Sequence, residues 1–297
     1  MEFGLIGVNA GPLGTAAGAK ALGEAAEAAG FDSIWTFEHV VVPVAYQSRY
    51  PYAKGGKAPG LEEVDLPDPL TWLTWVGAHT TDLLLGTGIL ILPQRNPVVL
   101  AKTVASLDHL SGGRVRLGVG VGWLEEEFDA IGVPFDRRGK RTDEYIEAMR
   151  ALWSQDDATY HGDFVSFTNC RSRPAPPGGR THVTIGGHSE AAAKRAGRLG
   201  DGFFPAVDAQ VYAEGGSQAA LDRLEAMITL ARRTAEEHDR DPAALEVSVN
   251  WGRAPAPEAM DHMRELDVTR IAVFPPSGDP ADLDGPFAEL ADNLRAR

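Results

Sequence analysis

The chain reads as an α/β protein, a (β/α)8 TIM barrel with insertions after its second and fourth strands. Three observations carry that reading. Strand-like and helix-like segments alternate from end to end, eight strand candidates occur, and no break in composition divides the 297 residues. Repeated βα units over this length close into a barrel. A doubly wound open sheet is the competing architecture. It calls for a nucleotide fingerprint at the first βα turn, and Gly7-Val8-Asn9-Ala10-Gly11 does not supply one.

The elements follow in order. Phe3 to Val8 forms a short apolar strand. Leu13 to Ala29 has helical spacing, with Leu22, Ala25, Ala26 and Ala29 on one face and Gly30 closing it. Asp32 to Phe37 is the second strand, and Leu70 to His79 a helix. Leu83 to Leu92 is nearly all apolar, as a parallel strand buried on both faces should be. Asn96-Pro97 opens a helix carrying Leu100, Val104 and Leu107, and Ser111-Gly112-Gly113 ends it. Arg114 to Val121 is the fourth strand. The excursion after it holds a helix from Arg141 to Trp153 and a hairpin from Thr159 to Phe167, turning at His161-Gly162-Asp163. A proline-rich loop spans Arg171 to Arg180. Then come the strand His182–Ile185, the helix Ser189–Leu199 and the strand Gly202–Phe204. The rest pairs a helix Ser217–His238 with a strand Leu245–Trp251, and a helix Glu258–Leu266 with a strand Arg270–Phe274. A last helix starts at Pro286. All 297 residues are expected to form one domain.

Composition narrows the function. The chain holds 28 basic and 42 acidic residues, a formal charge of −14, which argues against a nucleic-acid partner. One cysteine, Cys170, leaves no internal disulfide and sits in the reading as a loop thiol of no motif. No apolar run approaches the ~20 residues that span a bilayer, and Met1 to Gly11 does not look like a signal peptide. A cytoplasmic protein acting on a small molecule, with no membrane partner, is expected.

Most catalytic motifs are missing. There is no GxxxxGK[ST] loop, no HExxH or HxH pair for a metal, and no GxSxG elbow. Gly118-Val119-Gly120-Val121-Gly122 breaks the dinucleotide spacing at Trp123. Two places remain. Ser33-Ile34-Trp35-Thr36-Phe37-Glu38-His39 ends a barrel strand with an acid and a histidine, the side chain that titrates near neutrality. In barrels, chemistry sits at that end of the strands. Thr184-Ile185-Gly186-Gly187-His188-Ser189 runs a strand into two glycines and a capping serine. Those residues suit an anion at a helix N-terminus, and equally a tight βα turn. The long loop Val40 to Pro69 carries Tyr46, Tyr50 and Tyr52 and has the look of a lid. With Trp123 and Phe204 these side chains point to an apolar or aromatic cavity.

Taken together, the fragments resemble the luciferase-like monooxygenase superfamily, and within it the oxidoreductases that use the deazaflavin coenzyme F420. Gly30-Phe31-Asp32-Ser33-Ile34-Trp35 with Glu38-His39 carries the likeness. So do Leu85-Gly86-Thr87-Gly88-Ile89-Leu90 with Arg95-Asn96-Pro97, and Leu107 to Arg114 running into Gly118 to Trp123. Ile185-Gly186-Gly187-His188-Ser189 with Leu199-Gly200-Asp201-Gly202 completes it.

The resemblance implies His39 as proton donor or acceptor, with Glu38 tuning or orienting it. It implies a cofactor site at Gly88, Ile89, Val121, Gly122, Trp123, Gly186, Gly187 and Ser189. Gly88-Ile89 matches a bulge that often holds a non-proline cis peptide. Gly186, Gly187 and Ser189 match the phosphate-holding loop. It further implies hydride transfer between F420 and a small organic substrate, by a homodimer. An FMN-dependent monooxygenase using reduced flavin and oxygen is the alternative, and a non-catalytic flavin-binding protein a further one. In the sugar-phosphate dehydrogenases of the superfamily a carboxylate follows the match to Val121-Gly122. Trp123 stands there here, so that substrate is not inherited. Glu125, Glu126 and Glu127 are read as acids offsetting a helix dipole. An anionic cofactor meeting a protein of charge −14 must rely on local donors. Arg95, Lys194 and Arg195 are the basic candidates beside the Gly186-Gly187 amides.

Overall fold

Eight parallel strands hydrogen-bond in a closed ring in the computed structural model, which describes residues 1–53, 55–206 and 218–297. β1 (Glu2–Ile6) pairs with β2 (Ser33–Thr36), and β2 with β3 (Leu84–Thr87). The ring continues through β5 (Val115–Gly120), β8 (His182–Gly186), β9 (Gly202–Phe204) and β10 (Glu246–Gly252). β11 (Arg270–Val273) then returns to β1 and closes the barrel. The apolar run expected as one strand is two. β4 (Leu90–Ile91) resumes the pairing with β5 beyond Gly88–Ile89, whose peptide bond is cis as the resemblance implied.

Caps set where the helices start. Pro12 opens a 3-10 turn over Gly11–Gly14, so α1 (Ala16–Ala28) begins later than Leu13, with the Thr15 hydroxyl accepting from Gly18 N–H. Asp68 caps α2 (Pro69–Gly77), and Asn96 caps α3 (Pro97–Leu110). The insertion after β5 carries α4 (Glu125–Ala130), α5 (Arg138–Ser154) and the antiparallel hairpin β6 (Ala158–His161) and β7 (Ser166–Cys170). Cys170 thus ends a strand instead of lying in a loop. Ser189 caps α6 (Glu190–Leu199). α7 spans Gln218–Glu236; Ser217, expected to begin it, lies outside the described residues. α8 (Pro257–Glu265) and α9 (Asp284–Arg295) complete the chain.

The barrel interior is divided along its axis. At the N-terminal strand ends, Arg270 donates to Ser248 Oγ at 2.9 Å and pairs with Glu2, while Glu246 lies 3.5 Å from His182 and 3.7 Å from Arg270. Nearer the C-terminal ends, Ile6, Trp35, Phe204 and Ala272 form an apolar cluster separate from the main core. The Trp35 and Phe204 ring centroids are 4.8 Å apart. β2 and β9 are not neighbours in the ring, so this contact crosses the interior and floors the mouth above it. No helix among the described residues is long and apolar enough to cross a membrane.

Candidate active site

The site is built on the loops that follow β2, β4, β5 and β8. His39 lies three residues past β2, half-buried, and its Nδ1 is 2.9 Å from Glu127 Oε2. The other oxygen, Oε1, accepts the Val40 N–H at 2.6 Å. Glu127 is completely buried. Glu125, Glu126 and Glu127 do lie in the first turn of α4, where acids offset the helix dipole, but Glu126 and Glu127 also bind segments outside the helix. Glu126 accepts from Gln47 N–H at 2.5 Å and Ser48 N–H at 3.0 Å. Its hydrogen bond with the Ser48 hydroxyl leads the effects that hold its carboxyl down at about 2. Glu125 N–H donates to Ser48 Oγ at 3.1 Å. The short helix α4 thus pins both His39 and the loop behind it. One signal was present in the sequence. Glu127 occupies a stripe position between Leu124, Phe128 and Ile131, where an acid is out of place.

Glu38 does not touch His39 through any hydrogen bond. Its carboxylate is buried and accepts the Ile91 N–H and the Arg95 guanidinium, with Arg95 Nε at 2.9 Å. Arg95 continues to Asp68 at 2.6 Å, the residue that caps α2. Burial pushes the Glu38 carboxyl up, opposed by the charge of Arg95 and the Ile91 amide. The chain Glu38–Arg95–Asp68 ties β2, the turn after β4 and α2 into one unit. It gives Glu38 an anchoring place, and it takes Arg95 out of the set of free donors.

Aromatic rings wall the mouth. Trp123 meets the rings of His39 at 5.8 Å, Tyr46 at 5.4 Å and Tyr50 at 5.2 Å between centroids. Tyr50 then meets Tyr52 at 5.3 Å, and Tyr52 meets His188 at 4.8 Å. The array runs from the end of β2 to the end of β8, and the three tyrosines all come from the loop between Val40 and Pro69. Burial pushes the Tyr50 and Tyr52 hydroxyls up.

An apolar platform lies within this wall. The half-buried Ile89 side chain rests over two bare backbones. A Cβ at Gly120 would come 2.5 Å from it, and one at Gly186 2.3 Å. The Gly122 carbonyl accepts from Arg138 Nε at 3.2 Å, which fixes the Val121–Gly122 segment beside the platform. Ile89 thus presents an aliphatic side chain beside bare glycine backbone, a surface that suits a planar ring system.

The expected anion donors are redistributed. Gly186 lies in the β8–β9 ladder, and Gly187 N–H donates to the Phe204 carbonyl at 3.2 Å. Gly187 contributes its conformation instead: at φ 126° it takes a backbone that other residues rarely adopt. The Ser189 hydroxyl accepts from Ala192 N–H at 3.2 Å. An anion here would meet the first-turn amides of α6 at Glu190 and Ala191, with the helix dipole behind them. Arg195 is committed to Asp143 and the Gly139 carbonyl, and exposed Lys194 pairs with Glu190 at 3.7 Å. Among the described residues no cluster of three or more His, Cys, Asp or Glu side chains could hold a metal ion.

The model of the luciferase-like monooxygenase family matches residues 1–270. A protein of Mycobacterium tuberculosis is 36% identical over 214 residues, 72% of this chain and 71% of that one. An FMNH2-dependent dimethylsulfone monooxygenase of Pseudomonas fluorescens is 38% identical over 130 residues, 43% of this chain and 35% of its own. In fold, the chain superimposes on an F420-dependent secondary alcohol dehydrogenase with a TM-score of 0.76 at 17% identity, covering 99% of both chains. On the strength of the family match across most of its length, the chain belongs to the luciferase-like monooxygenase family.

Proposed function

We propose that the protein is an oxidoreductase that moves a hydride between coenzyme F420 and a small organic substrate. His39 gives or takes the accompanying proton. The observation that carries this reading is the imidazole itself. It is held by a buried carboxylate at the mouth, between an aromatic wall and an apolar platform. The residues fit a deazaflavin: Ile89 over Gly120 and Gly186 would back a planar ring, and Val121, Gly122 and Trp123 would flank it. The N-terminal turn of α6, opened by Gly186, Gly187 and Ser189, suits its phosphate. When bound, the deazaflavin supplies the two-electron couple, and it is poor at oxygen chemistry because carbon replaces the flavin N5. The chain's own work is to hold the ring, shut out water with the tyrosine loop, and handle one proton at His39.

The dimethylsulfone monooxygenase likeness favours a second reading, in which reduced FMN and oxygen share the same platform. Fluorescence titration of the purified protein with each cofactor separates the two. Binding of F420 is expected; tight FMN binding with no F420 binding would overturn the first reading. With F420 loaded, a panel of small alcohols and carbonyl compounds supplies the turnover assay. His39→Ala should then lower turnover about 10²–10⁴-fold, the usual worth of a general acid or base. Cofactor affinity should move only a few-fold. Undiminished turnover in that variant would remove His39 from the chemistry. A cofactor-binding chain that turns over no substrate would instead be a flavin-binding protein.

A further inference from the structure

We infer that Glu127 is a positioning residue that fixes which nitrogen of His39 carries the proton, leaving Nε2 as the atom that exchanges it with substrate. The inference deepens the proposed role of His39 and rests on it only for the exchange at Nε2. A carboxylate can only accept hydrogen bonds. Oε1 takes the Val40 N–H at 2.6 Å, and Oε2 faces Nδ1 at 2.9 Å. In the neutral ring one nitrogen holds the hydrogen and the other a lone pair. The hydrogen must therefore sit on Nδ1, where it meets Oε2, and the lone pair on Nε2. Among the described residues Nε2 has no hydrogen-bond partner, and it is not among the buried unpaired atoms. A substrate X–H proton would pass to that lone pair while Nδ1 keeps its own. The resulting imidazolium is held by the same carboxylate, and the reverse reaction returns the proton through Nε2.

The arrangement has a second part that makes it testable. The Val40 amide can only donate, so its partner must be an oxygen. In Glu127→Gln the single amide oxygen is required at Val40, which turns the NH2 group toward Nδ1. Nδ1 must then present a lone pair, and the hydrogen moves to Nε2. An isosteric change of one group should thus invert the tautomer of a residue 88 positions away. In the serine-protease triad an acid-to-amide change at the corresponding place likewise imposes the wrong tautomer.

The test is nitrogen NMR on the full chain labelled with ¹⁵N-histidine, at alkaline pH where imidazoles are neutral, without cofactor. The His39 signals are assigned by their loss in His39→Gln. The expected result is protonated Nδ1 in the wild type and protonated Nε2 in Glu127→Gln. Protonated Nε2 in the wild type would overturn the inference, and so would an unmoved proton in a folded Glu127→Gln protein. Should that variant fail to melt cooperatively, the wild-type spectrum alone still decides. Neither spectrum depends on F420 or FMN, so failure of the cofactor reading is seen separately, in the titrations.

Discussion

Glu38 and Glu127 are both buried acids bound to the segment around His39, and they are not interchangeable. Glu38 neighbours the histidine in sequence, yet in the loop past β2 its carboxylate turns to the Ile91 amide and Arg95. Glu38 is thus taken up elsewhere, and a residue from a later βα loop, Glu127, takes the place beside the imidazole. The sequence made His39 legible, because a histidine at the C-terminal end of a barrel strand has few bland explanations. Its partner was hidden among three consecutive acids, whose separate roles depend on the loop they meet in space. The anchoring role of Glu38 has its own test. Glu38→Ala leaves the Ile91 amide and part of the Arg95 charge without their partner. Breaking a buried pair in this way should cost about 3 kcal/mol, the low end because Arg95 keeps Asp68, read as a lowered urea midpoint. Hydrogen-bond loss alone would give nearer 1 kcal/mol.

Among the elements, two helix starts were legible, because Asn96 and Ser189 announce themselves as caps, while the Asp68 cap went unread. The start of α1 was misplaced: apolar spacing alone cannot show that Pro12 builds a separate 3-10 turn before Thr15 restarts the helix. The division of the third barrel strand was hidden in its composition, which is nearly all apolar, and only the resemblance marked Gly88-Ile89 as a bulge. Helix packing shows the same limit. Gly197 in α6 reads as a poor helix residue, and alanine there should gain about 1 kcal/mol of helix propensity. In the structure a Cβ at that position would lie 2.4 Å from the Ala231 carbonyl of α7 and 2.8 Å from the Ala235 amide. Those are backbone atoms, so the two helices would have to part. Gly197→Ala is therefore expected to destabilise by about 1–2 kcal/mol, the overpacking cost winning over propensity. A raised melting temperature would show the contact to be looser than it stands.

For the whole molecule, the polar floor of the barrel sets a response to acid. His182 leads the groups that hold the Glu246 carboxyl down at about 2, from an ordinary 4.5. A group lowered by folding stabilises above its unfolded value and loses that contribution as pH falls toward the folded one. Glu246 should therefore support the fold above about pH 4.5 and cease to do so between there and about 2. Its side chain keeps some solvent access, so the contribution is on the order of 1–2 kcal/mol. Glu246→Gln should be less stable by that amount at pH 6, with the gap narrowing below about pH 4.5 and closing near pH 2, in urea unfolding followed across pH. A gap that stays constant would place the stabilisation elsewhere.

Barrel closure bears on how the chain is made. β1 is made well before its second neighbour, β11: the Arg270 that holds Glu2 lies 268 positions later in the chain. Contacts of such separation form slowly, since most of the chain must be ordered before they repay it. Until Arg270–Val273 leaves the ribosome, the nascent sheet carries two open edges, at β1 and at β10. Open edges of apolar strands are templates for pairing with other chains. A message truncated just before β11 would accordingly yield an insoluble product, whereas a chain that includes β11 hides both edges by pairing each with the same four residues.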